Sequence, residues 1–478
     1  MKLFKASLFL SVIIAFCCIE KIAAQVSISG EIPSLKNDQV QLWIKNNPLA
    51  QSKEYNANVD EKGKFELQIP ITRIATARIK VNNNYNNLII LPDDKFTIEE
   101  EDSGITFTGK GANKNNFLQL IRKNKLSEDD FSGKYKEASL PLDEFLVQLK
   151  IFKNSRLHLL DDFLKTVKLE KEYIDYFKLE NEVIYECYLN KYPRAYSRKN
   201  KIDFQSLSLP KEYLEFKTID RFISDDKIES FRYIKEISDY IYLYAILIKE
   251  NNEALNWTEA KHIFMFDTLK GKTKEYILAN WIEGQLAFNN YDSLAIQEFE
   301  KIKTSSIPIE VVGKSLEKRD KKRSLLGKSL NLAFQNTILL DTAKNEITLG
   351  EVMAQQQGKV VYLDTWAMNC YPCRMAMPYS RDLKEKLKGK NISFVFLSTE
   401  QVPQKQWTKV YETTHTKENH YVLKHGFKAK FLQLMEMNWV PNYMIIDKQG
   451  RLKDYCADRP SKENNERLAK RLSTLATE

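Results

Sequence analysis

Six cysteines in 478 residues are too few to staple a chain of this size, and Cys17 and Cys18 fall in its first 25 residues. The other four, Cys187, Cys370, Cys373 and Cys456, exclude the cysteine-dense scaffold of small secreted domains. Long apolar runs are missing as well. The longest, Leu8 to Ile19, has 12 residues against the ~20 needed to span a bilayer. No dense basic run stands out from the interleaved Lys and Glu, so the formal charge of +9 reads as a mildly basic surface and not a nucleic-acid footprint. No cofactor motif is present.

What is there begins with a secretory leader over 1–24. Lys2 and Lys5 form its basic start, Leu8 to Ile19 its apolar core and Ile22-Ala23-Ala24 a small-residue cleavage site before Gln25. Removing it with Lys2, Lys5, Lys21 and Glu20 lowers the charge to +7. Cys17 and Cys18 raise a lipid-attachment alternative, but Phe16 stands where a small residue is expected before Cys17.

At this length several domains are expected. From 25 to 111, short segments alternate apolar with polar residues: Val26–Gly30, Val40–Ile44, Lys64–Ile69, Ala77–Val81, Lys95–Glu99 and Ile105–Gly109. Turn signals such as Asp60-Glu61-Lys62-Gly63 separate them, which predicts an all-β sandwich. From 112 to 323 glycine is scarce and apolar residues recur every three or four positions, as in Leu142–Phe152, Phe231–Leu247 and Lys274–Phe288. That predicts an all-α region, read as a spacer or docking domain. The charged run Lys318–Arg323 reads as a solvated hinge before a third domain, 324–478.

The third domain carries the chemistry. Lys359–Trp366 is apolar and β-branched, as an interior parallel strand should be, and a helical spacing follows from Tyr371 to about Lys388. Between them stands Cys370-Tyr371-Pro372-Cys373. A Cys-x-x-Cys at a strand-to-helix junction puts the first sulfur at the helix N-cap, where unpaired N–H groups and the dipole favour a thiolate. Cys370 is the expected attacking thiol, with its pKa lowered to roughly 3.5–7.5, and Cys373 the resolving thiol. Pro372 suits the first helical turn. A zinc site would need a second ligand pair that this domain lacks, so no metal is expected. Asp364 lies inside the apolar strand, where burial should raise its pKa. Cys187 and Cys456 read as small buried hydrophobes, with any pairing left open.

Asp364–Pro378 resembles the active-site segment of thioredoxin-fold proteins, most similar to the TlpA/ResA-like branch of extracytoplasmic thiol-disulfide oxidoreductases. Trp439–Gly450 is similar to that family's cis-proline loop, next strand and hairpin turn. The resemblance runs from about Leu330 to Thr477 and implies an α/β thioredoxin-like domain, with Val440-Pro441 cis beside the disulfide. The residue before that proline would offer its backbone to a substrate strand. The resemblance also implies that Asp364 handles the proton of the resolving cysteine. Trp366 and Trp439 are expected to wall the site, with plain core packing as the alternative. The preceding β-region resembles the domain that often precedes thioredoxin domains in Gram-negative envelope proteins. Two positions depart from the family: Ala376 where a Glu is common, and Asn369 where an aromatic is usual. Pro378 agrees with it, as a kink in the active-site helix.

The expected function is therefore a periplasmic thiol-disulfide oxidoreductase, a reductant of disulfides in exported proteins, fed by an upstream electron-donating thiol protein. The alternative is a non-catalytic envelope scaffold using the thioredoxin module as a clamp, which would need neither an intact dithiol nor Asp364. A peroxidase reading lacks its usual Pro-x-x-x-Thr-x-x-Cys. His415, His420 and His425, five residues apart, do not stack on one helix face and are expected as exposed loop residues.

Overall fold

The computed structural model describes residues 24–36, 38–81, 84–101, 104–135, 138–203, 206–216, 223–252, 254–288, 290–400, 410 and 419–478. The leader expected over 1–24 and His415 lie outside them, apart from residue 24. The chain divides into two compact units. One comprises residues up to Trp281 with Ser293–Val311, and the other Ile282–Asp292 with Val312–Glu478.

The first unit opens with eight strands: β1 (Ala24–Glu31), β2 (Gln39–Lys45), β3 (Lys53–Asn58), β4 (Lys64–Ile71), β5 (Ala75–Val81), β6 (Asn84–Ile90), β7 (Lys95–Glu101) and β8 (Gly104–Lys110). They form two four-stranded sheets, ordered β4-β1-β7-β8 and β3-β2-β5-β6. The alternating residues Val26 and Ile28 of one sheet share a core with Val40, Leu42 and Ile79 of the other, which makes a sandwich. Helices follow, among them α1 (Ala112–Lys123), α2 (Leu142–Leu164), α3 (Lys171–Asn200), α4 (Tyr233–Asn251) and α5 (Gly271–Ala287), which belongs to this unit as far as Trp281. Ile74, Ile89 and Leu91 of the β region join Phe117, Leu160, Tyr173 and Phe177 of the helices in one further core, so the two regions are packed together. Cys187 is buried in α3, as expected.

The run Lys318–Arg323 is not a hinge. It is the end of helix α6 (Ser306–Arg323), where cations complement the carbonyl end of the dipole.

The second unit is built on a seven-stranded sheet ordered β10-β9-β13-β12-β11-β14-β15. Its strands are β9 (Ile338–Leu340), β10 (Glu346–Thr348), β11 (Val360–Trp366), β12 (Ile392–Ser398), β13 (His420–Leu423), β14 (Asn442–Ile446) and β15 (Leu452–Asp454). Helix α7 (Leu349–Gln355) precedes β11, α8 (Tyr371–Lys386) follows it and α9 (Asn465–Thr477) ends the chain. Central β11 runs parallel to β12 and antiparallel to β14, and all seven of its residues are buried. Residues on its two faces enter separate cores. Val360, Tyr362 and Trp366 pack with Cys373, Ala376 and Met377 of α8 and with Leu468 and Leu472 of α9. Val361 and Leu363 enter the opposite core with Phe431 and Met444. His420 departs from its expected exposure: it lies in β13, buried, its ring stacked on Phe396 at 4.6 Å between centroids. His425 is exposed. Among the described residues no helix is long and apolar enough to cross a membrane.

Candidate functional site

The end of β11 and the start of α8 bring the dithiol together. Cys370 is the N-cap of α8, and its Sγ accepts the backbone N–H of Cys373 at 3.1 Å. That is one of the four orphan donors of a helix start, aimed at the sulfur that would carry negative charge. Pro372 sits in the first turn and Pro378 inside the helix. Cys370 and Cys373 form a disulfide, with S–S 2.01 Å. The two sulfurs differ in access: Cys370 is half-buried, while Cys373 is 2% exposed.

The bond between Val440 and Pro441 is cis. The Val440 carbonyl oxygen lies 3.6 Å from Cys370 Sγ, so the loop before β14 flanks the disulfide. Both residues are half-buried, and the Asn442 that opens β14 is buried. Trp439 packs its ring on Phe288 at 5.0 Å between centroids. Trp366 is 1% exposed, so it backs the disulfide from the core and not from the surface.

Asp364 is 3% exposed in the middle of β11. Strand alternation places it on the face of Tyr362 and Trp366, the side that holds Cys373. Burial pushes its carboxyl up to about 8, because removal from water penalises the charged form. Its Oδ1 has no hydrogen-bond partner among the described residues. A buried carboxyl with this pKa takes up or gives up a proton near neutral pH, whereas an exposed one stays ionised.

Two features of the site were not read from the sequence. Asn369, just before Cys370, donates its backbone N–H to Glu400 Oε1 at 2.8 Å, so a carboxylate stands at the loop that precedes the disulfide, supplied from beyond β12. Thr399 donates its N–H to the Trp366 carbonyl at 2.8 Å and ties the same two loops together. Tyr443, in β14, pairs directly with Asp364. Cys456 is only half-buried, not the buried hydrophobe expected. It follows the short edge strand β15, and its Sγ lies 3.8 Å from the Phe288 carbonyl oxygen. Among the described residues no group of His, Cys, Asp and Glu is arranged to hold a metal ion.

Residues 358–452 match the thioredoxin-like family model. The chain is 24% identical over 162 residues to the thiol-disulfide oxidoreductase ResA of Bacillus thuringiensis (strain Al Hakam), covering 32% of this chain and 82% of the relative. It is 25% identical over 149 residues to a ResA of Bacillus cereus, covering 31% and 78%. Similar solved structures include the thioredoxin domain of a Bacteroides vulgatus thiol-disulfide oxidoreductase, 20% identical. The match spans 30% of this chain and 99% of that one, with a TM-score of 0.25. A thiol:disulfide interchange protein from Bacteroides sp. is also 20% identical, over 30% and 86%, with a TM-score of 0.24. Residues 358–452 are thus a thioredoxin-like domain, and the chain is an oxidoreductase of the thiol–disulfide class.

Proposed function

We propose that the protein reduces disulfides in exported proteins, on the outer side of the cytoplasmic membrane, with Cys370 as nucleophile and Cys373 as resolving thiol. The observation that carries this reading is the asymmetry of the pair. Cys370 is reachable and accepts an N-cap N–H, while Cys373 is enclosed beside Asp364's face of the sheet. The leader-like 1–24 supports the location.

In the reduced protein the Cys370 thiolate attacks one substrate sulfur. A Cys370–substrate disulfide forms, the substrate S–S bond breaks, and one substrate sulfur leaves as a thiolate. Cys373 then gives its proton to the Asp364 carboxylate and attacks the Cys370 sulfur. The intramolecular disulfide forms and the second substrate sulfur leaves as a thiolate. Two electrons have passed to the substrate, and Asp364 holds the proton. Val440 and Pro441 hold the substrate segment by edge addition beside the sulfur, with Trp366 as backing. An upstream thiol protein returns the electrons.

The full mature chain is expected to catalyse insulin disulfide reduction, and Cys370→Ser to abolish it. Cys373→Ser is expected to accumulate a mixed disulfide, seen as a shifted band on a non-reducing gel. Undiminished turnover in Cys370→Ser would sink the assignment.

A further inference from the structure

Directly opposite Asp364 across β11 and β14 stands Tyr443, a residue without a part in the steps above. Paired residues on neighbouring antiparallel strands point to one face, with Cβ atoms ~4.5–5.5 Å apart. Tyr443 is 3% exposed and belongs to the same core as Cys373. Its phenol oxygen and Asp364 Oδ1 are both buried without a hydrogen-bond partner among the described residues. The Tyr443 ring is held by stacking on Tyr362, with centroids 5.6 Å apart and planes 18° apart. Tyr362 already donates its own hydroxyl to the Asp458 carbonyl at 2.7 Å. Of the two tyrosines beside the carboxyl, Tyr443 is therefore the one with a phenol proton to offer.

Resting on the reading of Asp364 as the base for Cys373, we propose that Tyr443 is its positioning residue: the phenol donates a hydrogen bond to the Asp364 carboxylate when that group is ionised, and so sets the pH at which it can take the proton of Cys373. A buried carboxylate without a donor is costly, and a donor to its charged form lowers its pKa. In the oxidised structure burial favours the protonated carboxyl, a poorer acceptor, and the phenol is disengaged. The Asp364 charge in turn pushes the buried Tyr443 phenol up, after burial itself, so the phenol keeps its proton and can only donate.

The groups around this pair are few. On β11 itself there is Tyr362, and near the two tyrosines lie Arg459, Asp454 and Asp458. β12 presents Phe396, register partner of Asp364, and β13 presents His420 one strand further on, behind that ring. The buried face of α8 brings Cys373 and the uncharged hydroxyl of Ser380, and α9 only Leu468, Ala469, Leu472 and Leu475.

The test uses the reduced full chain and 5,5′-dithiobis(2-nitrobenzoate) in single turnover. The first aryl thiolate released reports attack by Cys370, the second reports resolution by Cys373. Tyr443→Phe keeps the stacking ring and removes the donor. It is expected to move the pH midpoint of the second phase up by about one unit, slowing that phase about ten-fold at neutral pH. The first phase should not change. An unshifted midpoint, or equal slowing of both phases, overturns the role of Tyr443. Asp364→Asn is expected to remove the midpoint altogether. If it keeps the wild-type second-phase profile, the titration belongs elsewhere and the reading of Asp364 itself fails.

Discussion

Asp364 costs the fold stability as pH rises towards neutrality. Its carboxyl titrates near 3.8 in the unfolded chain and at about 8 in the folded one. Between those values the folded protein binds the extra proton, so stability falls as pH rises through that window. Asp364→Asn has no such charge to bury. It is expected to raise the unfolding free energy at pH 8 by about 2–5 kcal/mol, with the gain vanishing near pH 4. Urea titrations at the two pH values check this; equal gains at both would mean that the carboxyl is not the source. The acid itself was legible, because a charged residue inside an apolar strand is conspicuous. Its partner was not. Tyr443 stands 79 positions along the chain, and only the β11–β14 register brings the two face to face. Glu400 was hidden for a similar reason: a sequence shows that the usual glutamate position is Ala376, but not that a later loop returns a carboxylate to Asn369.

Elements were read well where periodicity was strong and missed where polar residues broke it. Strands β1, β2, β4, β5, β7 and β8 show the alternation of a half-buried sheet, whereas β3 reads Lys-Glu-Tyr-Asn-Ala-Asn and β6 opens on Asn-Tyr-Asn-Asn. Both lie at the edges of their sheet, where hydrogen bonding to one neighbour carries the strand without an apolar pattern. The start of α1 shows how such a sandwich is tied to helices. Gly111 takes φ +86, and a Cβ there would meet Asp94 Oδ1 at 2.0 Å. Behind it Lys114 is wholly buried, 2.8 Å from Asp94 and 2.9 Å from the Gly111 carbonyl. Burial raises the Asp94 pKa, and Lys114 opposes that. Lys114→Met would leave this carboxyl buried and unpaired, at a cost of about 3–5 kcal/mol. Replacing Asp94 by Leu as well should restore part of the loss, which a double-mutant cycle in urea measures; strictly additive losses would show that the pair does not interact.

At the scale of the whole molecule, three textures in the sequence became two compact units, because Phe117, Tyr173 and Phe177 continue the core begun by Ile74, Ile89 and Leu91. Periodicity alone cannot reveal such sharing, since it reports which face of an element is apolar and not what covers it. The short stretch Ile282–Asp292 was equally hidden. It belongs to the second unit, where Tyr291 lies under the Arg319 guanidinium at 4.1 Å and Phe288 lies on Trp439. Each unit has its own core, which predicts two cooperative transitions in denaturant. The only disulfide among the described residues lies in the second unit, so opening it with reductant should move one transition and leave the other in place. Monitoring each with a tryptophan probe, Trp43 for the first unit and Trp366 for the second, identifies which one moves. A single transition, or a reductant shift common to both probes, would mean that the sandwich, its helices and the dithiol domain unfold as one body, and that the redox state of Cys370 and Cys373 is felt throughout the chain.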